Sequence, residues 1–157
     1  MQVARNPVVV RPVERGDYAA WRPLWDGYNA FYEREGDTAL PEEVTHTTWD
    51  RFFDEREPIH ALVADDAGGE MVGIVHYLFH RSSILVGPNC YLQDLYTTEA
   101  ARGRGVGRAL IVAVYERAKA AGATRVYWHT HETNRTAREL YDKVADDTGF
   151  VVYRKIL

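Results

Sequence analysis

Residues 94–111, "DLYTTEAARGRGVGRALI", place three glycines and three arginines in the seven positions from Arg102 to Arg108, and a run of helix formers follows at once. Glycines at 103, 105 and 107 permit positive φ and remove side chains that would stand between backbone and ligand. A strand ending Asp94-Leu95-Tyr96 leads into the loop and the loop leads into a helix. Free N–H groups therefore converge at the positive end of the helix dipole. That is an anion site suited to phosphate, and Arg102, Arg104 and Arg108 add charge-assisted donors around it. Two common phosphate binders are excluded by spelling. Arg108 stands three after Gly105 and Leu110 three after Gly107, so the dinucleotide fingerprint is absent, and no Gly-Lys-Ser or Gly-Lys-Thr triplet provides a P-loop.

Working outward, Val8-Val9-Val10-Arg11-Pro12 reads as a first strand ended by proline. Asp17 can cap a helix to about Glu35 that carries Trp21, Leu24, Trp25, Tyr28, Phe31 and Tyr32 at helical spacing, with Pro23 predicting a kink or a start nearer Ala20. Pro41 begins a second helix with Val44, Thr48, Trp49, Phe52 and Phe53. His60 to Ala64 and Met71 to Phe79 form a strand pair around the turn at 65–69, and another strand spans Cys90 to Tyr96. The helix after the glycine-arginine loop runs from about Gly107 to Ala121, with Gly122 as its terminating residue. A strand from Arg125 to Thr130, a helix capped by Asn134 or Thr136 and running to about Asp146, and a final strand from Phe150 to Ile156 complete the chain. This order predicts an α/β fold, a mixed sheet with helices on both faces.

The chain has 157 residues, the size of one domain. No apolar stretch approaches the roughly 18 residues of a membrane span, and the N-terminus lacks the long apolar segment of a secretory signal. One cysteine, Cys90, excludes an internal disulfide framework and fits a reducing cytoplasm; inside a strand it reads as a buried bystander. A net charge of −4 argues against nucleic acid. Between Asp26 and Glu57 ten acids face three arginines, either a solvated helix face or a lip attracting a cationic substrate.

Arg102-Gly-Arg-Gly105-Val-Gly107 resembles the Arg/Gln-x-x-Gly-x-Gly/Ala signature of GCN5-related N-acetyltransferases, the GNAT family. The context agrees over nearly the whole chain: the strand ending Asp94-Leu95-Tyr96, then Asn134, Ala137, Leu140-Tyr141 and Gly149-Phe150. "YLQDLY", "YWHTHETNRTARELYDKVA" and "GFVVYRK" are similar to the branch of yeast enzymes acetylating histones, polyamines and D-amino acids. The resemblance implies a central, mostly antiparallel sheet and acetyl-CoA as cosubstrate, without a metal. Leu95, Tyr96 and Thr97 would offer backbone groups to the pantetheine arm, lying beside them like an added strand. Arg102, Gly103, Arg104, Gly105, Val106, Gly107 and Arg108 would take the pyrophosphate, with Asn134 and Ala137 nearby. A backbone N–H at the strand end, Tyr96 being the candidate, would hold the oxyanion. Tyr141 falls where many members protonate the departing sulfur. Tyr28, Tyr32 and Glu33 would line the acceptor pocket, and the apolar C-terminal segment would pair copies as a homodimer.

The base is the least determined element. A primary amine has a pKa near 10.4 and must lose a proton before attack. Polyamine-acetylating relatives read Glu-Asp where this chain has Gln93-Asp94, and Asn89 fills another family base position. Asp94 is a candidate, although strict alternation puts it opposite Gln93 unless a bulge intervenes; solvent or another acid such as Glu33 is the alternative. His129-x-His131 has metal-pair spacing without a third ligand, and either histidine could touch substrate. The acceptor implied is a polyamine, a lysine side chain or a small amino compound. Rivals are an amino-acid or antibiotic amine, or a non-catalytic acyl-CoA sensor.

Overall fold

A computed structural model describes residues 7–157. Five strands form one sheet in chain order: β1 (Val9–Pro12), β2 (Ile59–Asp65), β3 (Met71–His80), β4 (Asn89–Thr97) and β5 (Val126–Tyr127). β1 to β4 are antiparallel neighbours, and β5 joins β4 in parallel. Four helices cover it: α1 (Tyr18–Phe31), α2 (Glu42–Arg51), α3 (Val106–Ala120) and α4 (Arg135–Val144). The mostly antiparallel mixed sheet with helices on both faces is therefore as the sequence predicts.

The two faces are packed differently. Val106, Leu110, Ile111, Val114 and Ala118 of α3 recur at helical spacing and bury an aliphatic layer against Leu62, Val75, Cys90 and Leu92. On the other face Trp21, Leu24, Trp25 and Tyr28 of α1 join Trp49 of α2 over Val63, Met71 and Ile74. Gly27 lets α1 settle closely: a Cβ there would lie 2.5 Å from Tyr96 Oη and 2.7 Å from its Cζ. In α2 the buried positions are Thr45 and Trp49, whereas Val44 is exposed.

Several local expectations are corrected. α1 starts at Tyr18 and passes through Pro23, and Asp17 gives its carboxylate to Arg11 and to the Glu14 N–H rather than capping. α1 also stops at Phe31, because Glu33 and Gly36 both take positive φ (61° and 56°). α4 ends at Val144, two residues early, and Asn134 at its start donates to Thr130 Oγ1 (3.4 Å) instead of capping. β5 keeps only two of its six expected residues. The strand expected at Phe150–Ile156 is absent: no helix or strand follows Val144, and Phe150, Val151, Tyr153 and Ile156 are exposed.

The β3–β4 ladder slips between His76 and Tyr77, which pair with Asp94 and Leu92, so Gln93 is an extra, bulged residue. Cys90 and Leu92 face the aliphatic layer, and regular alternation would send Asp94 there too. The bulge reverses the phase and turns Asp94 towards α1.

Candidate active site

β5 meets β4 only at Cys90–Val126 and Tyr91–Tyr127, so among the described residues β4 has no strand partner on that side beyond Tyr91. The ladder's phase is fixed by the Thr98 N–H donating to Val72 O (2.9 Å). Two residues back along the strand, Tyr96 addresses β3, while Leu95 and Thr97 turn N–H and C=O to the open side. Arg102 Nε donating to Thr97 O (3.3 Å) agrees with that phase. The outward donors at the strand end are thus the N–H groups of Leu95 and Thr97, not that of Tyr96, the candidate from sequence.

The loop below this edge has the expected form. Gly103 and Gly105 take φ of 77° and 83°, the left-handed region that admits glycine without strain. Gly107 does not: it is the second residue of α3, where an added Cβ would lie 3.5 Å from Leu140 Cδ2, an ordinary contact. Ala109 N–H bonds to Gly105 O (3.0 Å), so the amides of Val106, Gly107 and Arg108 precede the ladder and point out of the helix end. Arg102, Arg104 and Arg108 are exposed and form no ion pair among the described residues; the Arg102 guanidinium lies 5.8 Å from the Tyr96 ring centroid. Half-buried Asn134 and Ala137 open α4, whose Leu140 packs against this entrance.

Across the open edge stands a polar chain that sequence reasoning missed. Asp94 Oδ2 is 2.9 Å from His76 Nδ1, and His76 Nε2 is 3.0 Å from Trp21 Nε1. His76 is fully buried and Asp94 nearly so. Phenols surround the carboxylate: burial and, after it, the Asp94 charge push Tyr28, Tyr32 and Tyr91 above the ordinary tyrosine range. Arg34 extends over the rings of Tyr28 and Tyr32, 5.8 and 5.3 Å from their centroids. Glu33 is exposed in the turn after α1 and has no hydrogen bond to this cluster. Partners 18 and 55 residues apart leave no local spacing signal for the chain.

Tyr141, in α4, packs edge-on against Trp128 (5.3 Å between centroids). Burial, with Tyr32 second, pushes its phenol up to about 12, so it keeps its proton at neutral pH. His129 Nδ1 meets Tyr91 Oη (3.2 Å), whereas His131 Nδ1 meets Thr133 Oγ1 (2.7 Å), so the two histidines serve separate partners. No group of three or more His, Cys, Asp or Glu is placed to hold a metal among the described residues. Burial pushes the Cys90 thiol up to about 11, which leaves it protonated and a poor nucleophile.

A strand left unpaired beyond Tyr91 over a glycine-turned helix entrance, with a carboxylate beside it, is an arrangement able to receive an extended anionic molecule. Residues 21–145 match the acetyltransferase (GNAT) family, and the chain belongs to it, an enzyme of the N-acetyltransferase class. It is 41% identical over 155 residues to the D-amino-acid N-acetyltransferase HPA3 of Saccharomyces cerevisiae, covering 98% of this chain and 94% of that protein. The fold is shared with the ribosomal-protein-alanine N-acetyltransferase of Brucella melitensis biovar Abortus 2308 (TM-score 0.77, 19% identity, 96% of this chain and 99% of that one). An aminoglycoside N-acetyltransferase solved in complex with CoA also shares it (TM-score 0.75, 16% identity, 96% and 95% covered).

Proposed function

We propose that residues 1–157 act as one domain that moves acetyl from acetyl-CoA to a primary amine while both are bound. The observation that carries this reading is the open edge of β4, set between the α3 entrance and Asp94. The Leu95 C=O and the Thr97 N–H would pair with the pantetheine arm beside Tyr96, and the amides of Gly103 to Arg108 with the pyrophosphate, Asn134 and Ala137 closing that side. Asp94 takes the ammonium proton through water, freeing the nitrogen lone pair to attack the thioester carbon. Leu95 N–H faces the oxygen as charge gathers there. The carbon–sulfur bond breaks, Tyr141 donates its hydrogen to the leaving sulfur, and the surplus proton on the new amide nitrogen passes through water to restore the phenol. A buried, protonated Cys90 supports direct transfer over an acyl-enzyme.

The acceptor we favour is cationic. Five of the ten acids between Asp26 and Glu57 pair with local arginines (Asp26, Glu42, Asp50, Asp54 and Glu57); of the other five, Glu33, Glu35 and Asp37 follow α1 and form the lip. A second reading, an amino-acid acceptor, is supported by Arg34 above Tyr28 and Tyr32, a counter-ion for a carboxylate, and by the relative's D-amino-acid specificity. The exposed apolar residues Phe150 to Leu157 support a homodimer, and the lone free cysteine supports a reducing, cytoplasmic setting.

Thiol release from acetyl-CoA, measured with polyamines, a lysine peptide, D- and L-amino acids and an aminoglycoside, tests the reading. Amine-dependent release is expected. Acetyl-CoA binding without release across the panel would leave an acyl-CoA sensor, and absence of binding by calorimetry would end both.

A further inference from the structure

The buried chain behind Asp94 carries an inference about how that carboxylate is held. An indole nitrogen donates and cannot accept, so at 3.0 Å from Trp21 Nε1 the His76 Nε2 must be the acceptor. The imidazole hydrogen then resides on Nδ1 and donates to Asp94 Oδ2 at 2.9 Å. His76 is fully buried, with ring centroids of Trp21, Trp25 and Phe52 at 5.9, 5.4 and 4.7 Å. Asp94 is the charged side chain bonded to it; α1 contributes Trp21 and Trp25, and the residue after α2 contributes Phe52. Around Asp94 itself stand Tyr28 and Tyr32 from α1, Tyr91 on β4 and His76 on β3, with Arg34 over the two α1 rings.

We infer that Trp21 and His76 are positioning residues: Trp21 holds His76 neutral in its Nδ1–H form, and His76 fixes Asp94 through Oδ2 for the acceptor's proton. The inference rests on the acetyltransferase reading for the role of Asp94. An imidazolium here would set Nε2–H against the indole N–H, two donors face to face without water. The proton taken from the amine therefore stops at Asp94 and returns to solvent from there.

Nitrogen-15 spectra of the histidine rings in the wild-type protein give a readout independent of activity. His76 is expected as the neutral Nδ1–H tautomer, its hydrogen on the nitrogen that faces Asp94. Trp21→Phe should free Nε2 and let the ring populate its Nε2–H tautomer. In kinetics, His76→Leu removes the donor and His76→Asn keeps an N–H near the Nδ1 position. His76→Leu should lower kcat about 10-fold to 100-fold, move the acidic limb of kcat/KM for the amine to higher pH, and leave acetyl-CoA affinity unchanged; His76→Asn should restore the limb. An Nε2–H or charged His76 in the wild type, or identical kcat and pH profiles for the Leu and Asn variants, would overturn the inference. If no amine supports CoA release, the base role of Asp94 fails and the positioning role with it, while the tautomer spectrum still decides the hydrogen-bond chain.

Discussion

The two edges of β4 use the same nine residues for different ends: eight positions pair with β3, and two pair with β5. On the β3 side every residue but the bulged Gln93 has a partner, and the layers above and below are closed by Leu110, Ile111 and Trp21, none of which reaches solvent. On the β5 side Leu95 and Thr97 hold out polar groups that a bound molecule can satisfy. Stability and chemistry are thus separated across one strand, and damage to each side should have its own signature.

The largest effect is expected from Asp94→Asn, which removes the proton acceptor but keeps the shape. kcat/KM for the amine should fall by about 10²–10⁴ with acetyl-CoA affinity by calorimetry unchanged; a parallel loss of affinity would break the separation. On the paired side, Leu110→Ala should cost about 2–5 kcal/mol in urea unfolding and leave kcat near wild type where the variant is folded. Tyr141→Phe should lower kcat about 10-fold to 100-fold. With the phenol pushed up to about 12, its deprotonation lies above the working range, so the wild-type rate should show no alkaline fall from this group between pH 8 and 10. A fall there that vanishes in the Phe variant would contradict that. The smallest effect is Gly105→Ala: forcing a side chain into φ of 83° should cost about 1–2 kcal/mol of stability and weaken acetyl-CoA about 10-fold, read by melting and titration.

Local features were legible in the sequence. The turn at Gly103 and Gly105 and the apolar stripe of α3 depend on residues within a few positions of one another, as does the terminating Gly122, whose φ is 85°. Features set by partners far along the chain were not. Alternation could raise a bulge at Gln93 as a condition but could not place it, because the slip is decided by which layer His76 and Asp94 join. The Trp21–His76–Asp94 chain joins three elements with no common spacing. β5 pairs with β4 only at Val126 and Tyr127, although Arg125 to Thr130 spells a strand. The residues after Gly149 likewise spell a strand, yet among the described residues no neighbour pairs with them.

Gly27 has a consequence for size selection. With no side chain between them, the hydroxyl end of Tyr96 rests directly on α1, the helix that also carries Tyr28. A methyl inserted at position 27 would work like a shim, either levering the helix outward to admit a wider acceptor or driving Tyr96 towards Arg102 and the coenzyme arm. One missing carbon therefore acts as the caliper for both entrances.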